Sequence, residues 1–546
     1  MQNKTARLIS AYIFIFIAAF GIYAKTINYK LTYLDDMDFI RLCAQAYETR
    51  SFTDAFKNNV LFSVNNTPYY RPVLNLSFML DNRIAGASVK FAHISNILLH
   101  CFCALLLFFF LRRYIIKDQL ELSFLFTLFF AFSPAAPYTA AWIPGRNDSL
   151  FLLTFVLSLI FFIEYLNTRK IYLLIPHLFF MLAAFFTKES GIIIPFIIIA
   201  YRFTQNNGRK HNYVDAVLYL AYAASIFVFL NARSPVIPNS GLSFSMLSFS
   251  KGNLVMFFDY FYSIVFLRNS FAANFNAEIL IFGAISICFA AFAAFYKKPK
   301  EEFLSSLFYF SLPFIFIAVT VLSGRIHSHG NRIYIPLFFA SVIFASFAQT
   351  LIKNGKDAKT VCVCVIALIL AAGAQTLKTQ KYFDGLNFFD KIIEESDEPS
   401  NAIYKLRSSY LIDEGYLREA LNDAVFMAYL SNFNDDEILY MLAYSFLLNG
   451  DIKNAEKYSE KLIFKNPNAH PSAWAMHLIA INFSGDKEKE AQAFSAFCQL
   501  YNLTHEDAER YINEGYTFLK EKKKNEVLII KNDKRSRLNL TNVYLN

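Results

Sequence analysis

The sequence predicts an all-α protein: a polytopic membrane helix bundle of about eleven spans followed by a module of helical repeats. Three observations carry that prediction. Of 546 residues, 55% are hydrophobic and only 17% charged, whereas soluble domains carry about 25% charged residues. Most of residues 1–376 fall into apolar runs near the roughly 20 residues that a helix needs to cross a bilayer. Beyond 376 the charges rise, the long apolar runs stop, and Gly415, Gly450 and Gly485 recur 35 residues apart. The aromatic balance of 62 Phe and 32 Tyr against 2 Trp suits helices that face lipid.

The first run, about 8–24, follows Lys4 and Arg7 and resembles a signal peptide. Ten further runs follow it, so an uncleaved signal anchor is expected. The others lie near 91–111, 120–139, 148–166, 171–186, 190–203, 214–231, 278–296, 303–322, 333–352 and 359–376. With Lys4 and Arg7 in the cytoplasm, alternation brings five basic clusters to the same side, as the positive-inside rule requires. These are Arg112/Arg113/Lys117, Arg169/Lys170, Arg202/Arg209/Lys210, Lys297/Lys298/Lys300 and Lys353/Lys356/Lys359. The scheme holds only if 253–267 (NLVMFFDYFYSIVFL) is an interfacial or re-entrant helix. Residues 25–90, 140–147, 187–189, 232–277 and 323–332 then face outward with the carboxy-terminal tail. The expectation is a multi-pass protein of the cytoplasmic (inner) membrane, its amino terminus inside and its repeats outside.

Each tail glycine is followed by a small residue, Ala420, Ala455 or Ala491. The middle unit, ILYMLAYSFLLNGDIKNAEKYSEKLIFKNPN, sets Leu439, Ala443 and Tyr444 on one helix and Ala455 on the next, with Pro467 closing. This resembles a tetratricopeptide repeat (TPR), whose small residues let two helices approach closely. Such repeats stack into a concave surface that binds a protein partner. The domains expected are 1–376 (transmembrane), 377–519 (TPR-like repeats) and 520–546 (a basic, frayed end).

Composition excludes several function classes. The net charge of +9 does not point to nucleic acid, because the basic residues sit in short clusters between spans. Cys101, Cys103, Cys288, Cys362 and Cys364 lie in apolar runs, and Cys43 and Cys498 are isolated. With no CxxC pair and no Cys/His ligand spacing, neither a disulfide framework nor a zinc site is expected.

The first outward loop opens Thr32-Tyr33-Leu34-Asp35-Asp36-Met37-Asp38. Paired carboxylates just past a span are costly near lipid unless solvated, paired or working. Either could take a proton from an acceptor hydroxyl, or cap the amphipathic stretch that starts at Phe39. Further on, Tyr69-Tyr70-Arg71-Pro72 holds an arginine suited to a phosphate or to an interfacial anchor. His93, Asn96 and His100 share one helical face. The two histidines stand about 10 Å apart along the axis, too far to share a metal, so interhelical hydrogen bonding is the expected role ahead of a substrate contact. Three outward turns carry charge: Trp142-Ile143-Pro144-Gly145-Arg146-Asn147-Asp148, Thr187-Lys188-Glu189-Ser190, and Gly324-Arg325 through Asn331-Arg332-Ile333-Tyr334. Each alone suits a local ion pair. With the two clusters of the first loop and the next span, five polar clusters on one face predict a pocket for a charged, lipid-borne substrate.

In their order, Asp35-Asp36, Tyr70-Arg71-Pro72…Leu76-Ser77-Phe78, His93…Asn96…His100, Trp142…Gly145-Arg146…Asp148, Lys188-Glu189 and Arg332-Ile333-Tyr334-Ile335-Pro336 resemble the TPR-containing transmembrane O-mannosyltransferases. With their bacterial relatives these belong to the GT-C glycosyltransferase superfamily. The resemblance implies transfer of a sugar from a polyprenyl-phosphate-linked donor to a protein or glycan acceptor, with inversion at the anomeric carbon. It makes Asp35 and Asp36 the catalytic pair, one of them deprotonating the acceptor. Arg71, Arg146, Lys188 and Arg332 are the candidates to neutralise the phosphate. Tyr70, His93, Asp148, Glu189 and Tyr334 complete the expected substrate-binding set. No metal is required, although the acidic pair could hold a divalent cation. Two departures stand out: Asn331 occupies the place where the family's last motif has a glutamate, and the repeat array is short. The rivals are a lipid-linked sugar transporter or flippase, which calls for ionisable groups near the bilayer midplane, and a non-catalytic membrane-anchored TPR scaffold.

Overall fold

The computed structural model describes residues 2–32, 36, 50–62, 69–117, 119–205, 213–237, 251–268, 277–322, 330–396 and 400–529. Among the described residues it is all helix and turn, without strands. Contacts divide it into two units, Met1–Lys391 and Ile392–Asn546.

In the first unit eight described helices are long and apolar enough to cross a membrane: Lys4–Asn28, Val89–Ile115, Ile143–Thr168, Tyr213–Arg233, Ala277–Phe295, Glu302–Val319, Gly330–Lys353 and Ala358–Phe383. Each coincides with an expected span. The other three expected spans form shorter helices. The 120–139 run is helical only over Leu120–Ala131, because Pro134 disfavours helix at the residue before it; a single turn, Pro137–Ala140, follows. The 171–203 region is a helix, a break and a second helix. Leu174–Thr187 ends at Lys188, whose backbone is extended (φ −155°, ψ 137°). After a 3-10 turn Ile194–Thr204 resumes with Pro195 in its first turn, where a missing N–H costs nothing. Lys251–Phe266 is a 16-residue apolar helix, shorter than a span.

Two ion pairs join the ends of helices. Arg7 pairs with Glu121 at 2.8 Å and Arg113 with Glu164 at 3.2 Å, so these charges share one end of the bundle. Ile143–Thr168 and Gly330–Lys353 are the most buried of the long helices, and aromatic rings fill the space around them. Phe151 and Phe155 pack on Phe316, and Phe130 packs on Tyr334 and Phe338. Where apolar burial against lipid gives little drive to associate, such packing and hydrogen bonds between helices hold the bundle. Ser158, His177 and Tyr222 form one such buried chain, with contacts of 2.9 and 2.8 Å.

The second unit is a run of helices: Asn401–Asp413, Leu417–Leu430, Asp436–Leu448, Ile452–Lys465, Pro471–Ser484, Lys487–Tyr501 and His505–Ile529. The last continues through 520–529, where the sequence predicts a frayed end; residues 530–546 lie outside the described residues. Three glycines turn the hairpins in left-handed backbone, Gly415 (φ 84°), Gly450 (φ 79°) and Gly485 (φ 82°). Ala420 and Ala455 are fully buried, as close helix approach requires, whereas Ala491 is exposed. The hairpins are linked by Asn449, whose side chain donates to the Leu417 carbonyl at 2.8 Å.

Gly450→Ala places a Cβ in left-handed backbone at a cost of about 1–2 kcal/mol, with Gly450→Asn costing less. Hydrogen exchange should speed up across 436–465 in the alanine variant and leave the first unit unchanged.

Candidate active site

Three ion pairs from separate loops form a closed circuit. Arg71 is the N-cap of the Pro72–Ala85 helix. Its Nε and Nη2 donate to Glu189 Oε2 at 3.0 and 2.8 Å, and its guanidinium covers the Tyr69 ring at 4.3 Å. The Tyr70 backbone N–H donates to Glu189 Oε1 at 3.1 Å. The Tyr70 hydroxyl donates to the Phe56 carbonyl at 2.8 Å; burial pushes this phenol up to about 12, so it stays a donor.

The extended backbone at Lys188 sends its side chain away from that of Glu189. Lys188 Nζ reaches Asp148 Oδ1 at 2.5 Å, with the Asp148 side chain wholly buried. Asn331 Nδ2 donates to the other oxygen of Asp148 at 2.7 Å. A carboxylate at position 331 would stand against Asp148. Asn331 supplies a donor instead.

The third pair is deepest. Arg146 is 1% exposed and its Nη2 lies 2.6 Å from Asp81. The same guanidinium donates to Asn96 Oδ1 at 2.7 Å and to the Ala92 carbonyl at 2.9 Å, over the Phe78 ring at 4.1 Å. The Asn96 amide in turn donates to the Trp142 and Ile143 carbonyls at 3.0 and 3.1 Å, fixing the turn that leads to Arg146. Arg71 thus begins the helix that carries Asp81, Arg146 begins the helix that carries Asp148, and Lys188 precedes Glu189, which returns to Arg71. Two glycines allow the turns to close. A Cβ on Gly145 would stand 2.0 Å from the Tyr138 carbonyl oxygen, and one on Gly330 2.4 Å from the Tyr138 ring.

The other expected residues divide between pocket and packing. Burial lowers the pKa of Lys188 below its ordinary 10.5; Asp148 opposes this, and Arg71 and Arg332 add to it. Arg332 therefore stands within the field of the same site. It forms no carboxylate pair among the described residues, its Nη1 is buried without a hydrogen bond, and Tyr260 lies beside it. Arg71 and Lys188 each have a carboxylate partner, Glu189 and Asp148, and Arg332 adds a third cation to the cluster, an arrangement that suits an anion. Arg146, by contrast, is satisfied internally. Tyr334 sits in the bundle interior, its hydroxyl 2.7 Å from His100 Nδ1. His93 is buried among the Tyr29 and Ala141 backbones and the Arg146 charge. These three, with Tyr70, belong to the scaffold around the site.

Asp36 is 2% exposed, and its Oδ2 accepts from the Thr32 N–H at 2.7 Å and the Thr32 hydroxyl at 2.9 Å. Asp35 and Arg325 lie outside the described residues, as does the stretch from Phe39 that the alternative capping role of the acidic pair concerns. No group of three metal-ligating side chains occurs among the described residues. Sequence reasoning missed Asp81. Its signal is an acid four positions after Ser77 in an apolar helix, and Ser77, Phe78 and Asp81 all meet Arg146.

The chain is similar to protein O-mannosyl-transferases. It is 28% identical over 160 residues to Protein O-mannosyl-transferase TMTC1 of Mus musculus, 28% of this chain and 17% of that protein. The figures for Protein O-mannosyl-transferase TMTC1 of Homo sapiens are 28% over 160 residues, 28% of this chain and 18% of that protein. Protein O-mannosyl-transferase TMTC2 of Homo sapiens is 30% identical over 153 residues, 27% of this chain and 18% of that protein. The match spans less than a fifth of the length of these curated relatives. No family model matches the chain.

Asp148→Ala leaves the Lys188 ammonium stranded and should cost about 3–5 kcal/mol. Adding Lys188→Met should recover part of that loss. A double-mutant cycle by thermal unfolding in detergent measures the coupling.

Proposed function

We propose that the protein is a GT-C-type membrane glycosyltransferase that moves a sugar from a polyprenyl-phosphate-linked donor to a protein or glycan hydroxyl on the extracytoplasmic face, with inversion. The observation that carries this reading is the cluster of cations around Lys188, in a chain similar to protein O-mannosyl-transferases. A pocket that binds the donor by its phosphate needs positive charge at bilayer level, and Arg71, Lys188 and Arg332 supply it.

In this mechanism the acceptor hydroxyl gives its proton to Asp36 or Asp35 and its oxygen attacks the anomeric carbon. The bond from that carbon to the phosphate oxygen breaks, and the electron pair leaves with the polyprenyl phosphate. Because the leaving group carries its charge away, fixed cations aimed at it stabilise the transition state more than a general acid would. Asp148 and Asn331 hold Lys188 in place and do not touch the donor. No step of this scheme requires a metal, although the acidic pair could hold a divalent cation. The helical hairpins of 392–529 present the protein acceptor as TPR-like repeats, and the amino terminus lies in the cytoplasm.

Asp36→Asn should abolish transfer while leaving membrane abundance unchanged; normal product from this variant would sink the mechanism. Arg332→Gln should weaken donor binding by roughly ten- to a hundredfold, the worth of a charge-assisted hydrogen bond of about 1.5–3 kcal/mol. The pH dependence follows from Lys188. Its protonated form holds the phosphate and its pKa lies below 10.5, so donor affinity should fall as pH rises through that lowered value. Lys188→Arg should remove the fall, and donor titrations across pH would read both.

A further inference from the structure

We propose that Asp384 is a positioning residue for the acid-bearing first loop, clamping it from the segment that follows the last long helix. The inference rests on reading Asp36 as the base. The clamp has two points. The Lys30 N–H donates to Asp384 Oδ1 at 3.0 Å, and the Gly385 N–H donates back to the Lys30 carbonyl at 3.3 Å. Gly385 takes a left-handed backbone (φ 54°), which favours glycine there.

Two residues beyond Lys30, Thr32 grips the Asp36 carboxylate through both its N–H and its hydroxyl. Between them Leu31 is buried with Phe62, Phe78 and Ile143. The stretch 30–32 is therefore held by a hydrogen-bonded clamp, an apolar anchor and the carboxylate in succession. Three residues have little slack: a shift at Lys30 moves Thr32, and with it Asp36.

The clamping segment is itself fixed to the turn before Arg146. Phe383 meets the Tyr138 ring edge-on at 5.0 Å, and Phe388 stacks on Trp142 at 6.4 Å. Asn387 closes the segment by donating to the Lys381 carbonyl at 3.2 Å. One short strap thus references the loop of Asp36 to the turn that leads to Asp148. Asp384 touches no reacting atom in this scheme. It acts through Lys30 and Thr32.

The test uses the full-length protein in membranes and two substitutions. Asp384→Ala removes the acceptor for the Lys30 N–H, and Asp384→Asn removes the charge but keeps an acceptor oxygen. Hydrogen exchange reads the Lys30 and Thr32 amides directly. Transfer is measured with a polyprenyl-phosphate mannose donor and the expressing cell's secreted proteins as acceptors. Asp384→Ala should speed exchange at both amides and lower kcat by about 10- to 100-fold, the scale of a small misplacement of a reacting group, without raising the donor KM. Asp384→Asn should restore most of both. If only the Lys30 amide is released, or kcat holds in Asp384→Ala while Asp36→Asn abolishes transfer, the positioning role is wrong and the proposed mechanism stands. If Asp36→Asn keeps transfer, the proposed mechanism fails instead, and the Thr32 exchange rate alone decides whether the clamp reaches the acid.

Discussion

The Asp148 carboxylate is the constraint on which the site depends. It is wholly out of water and accepts Lys188 on one oxygen and Asn331 on the other, so segments far apart in sequence end on one group. A buried charge is tolerable only when paired and fully hydrogen-bonded, and removing either partner leaves the rest uncompensated. The circuit through Glu189, Arg71, Asp81 and Arg146 spreads the same demand over four further side chains. Such a network gains more in specificity of arrangement than in net stability. It brings Lys188 within the field of Arg332.

The membrane part of the fold is legible in the sequence because the bilayer sets its length scale. Every long apolar helix falls on an apolar run of the expected size. What hydropathy does not register is a break inside a run. Phe132-Ser133-Pro134 ends a helix in the middle of 120–139, whereas the break at Lys188 falls between the runs 171–186 and 190–203 that the sequence already separates. The repeats are legible for a different reason: left-handed turns favour glycine, so 415, 450 and 485 mark hairpins whatever surrounds them.

The site is legible as a set of residues but not as a set of roles. Arg71, Lys188, Glu189, Asp148 and Arg332 do gather, since charges beside lipid have few places to go. Which arginine stays available is decided by partners that sequence spacing does not reveal. Arg146 is closed off by Asp81 and Asn96, from two different helices. Tyr334 stands two residues from Arg332, yet the start of its helix turns its hydroxyl inward to His100. Asn331 is the reverse case. As a departure from a family pattern it looks like a loss, and against Asp148 it is a complementary donor.

The broken helix pair around Lys188 has a consequence for the membrane itself. The apolar helix Ile171–Thr187 has 17 residues, about 26 Å at 1.5 Å per residue, against a hydrocarbon core of about 30 Å. The pair reaches the site a few ångström short. Lipid around it must thin or dimple to meet Lys188 and Glu189, at a fraction of a kcal/mol per ångström of mismatch. A dimple draws headgroup phosphates down to the depth of the cations and lets water in above them. The shortness of this helix pair thereby makes a shallow well at the level of Lys188 and Glu189.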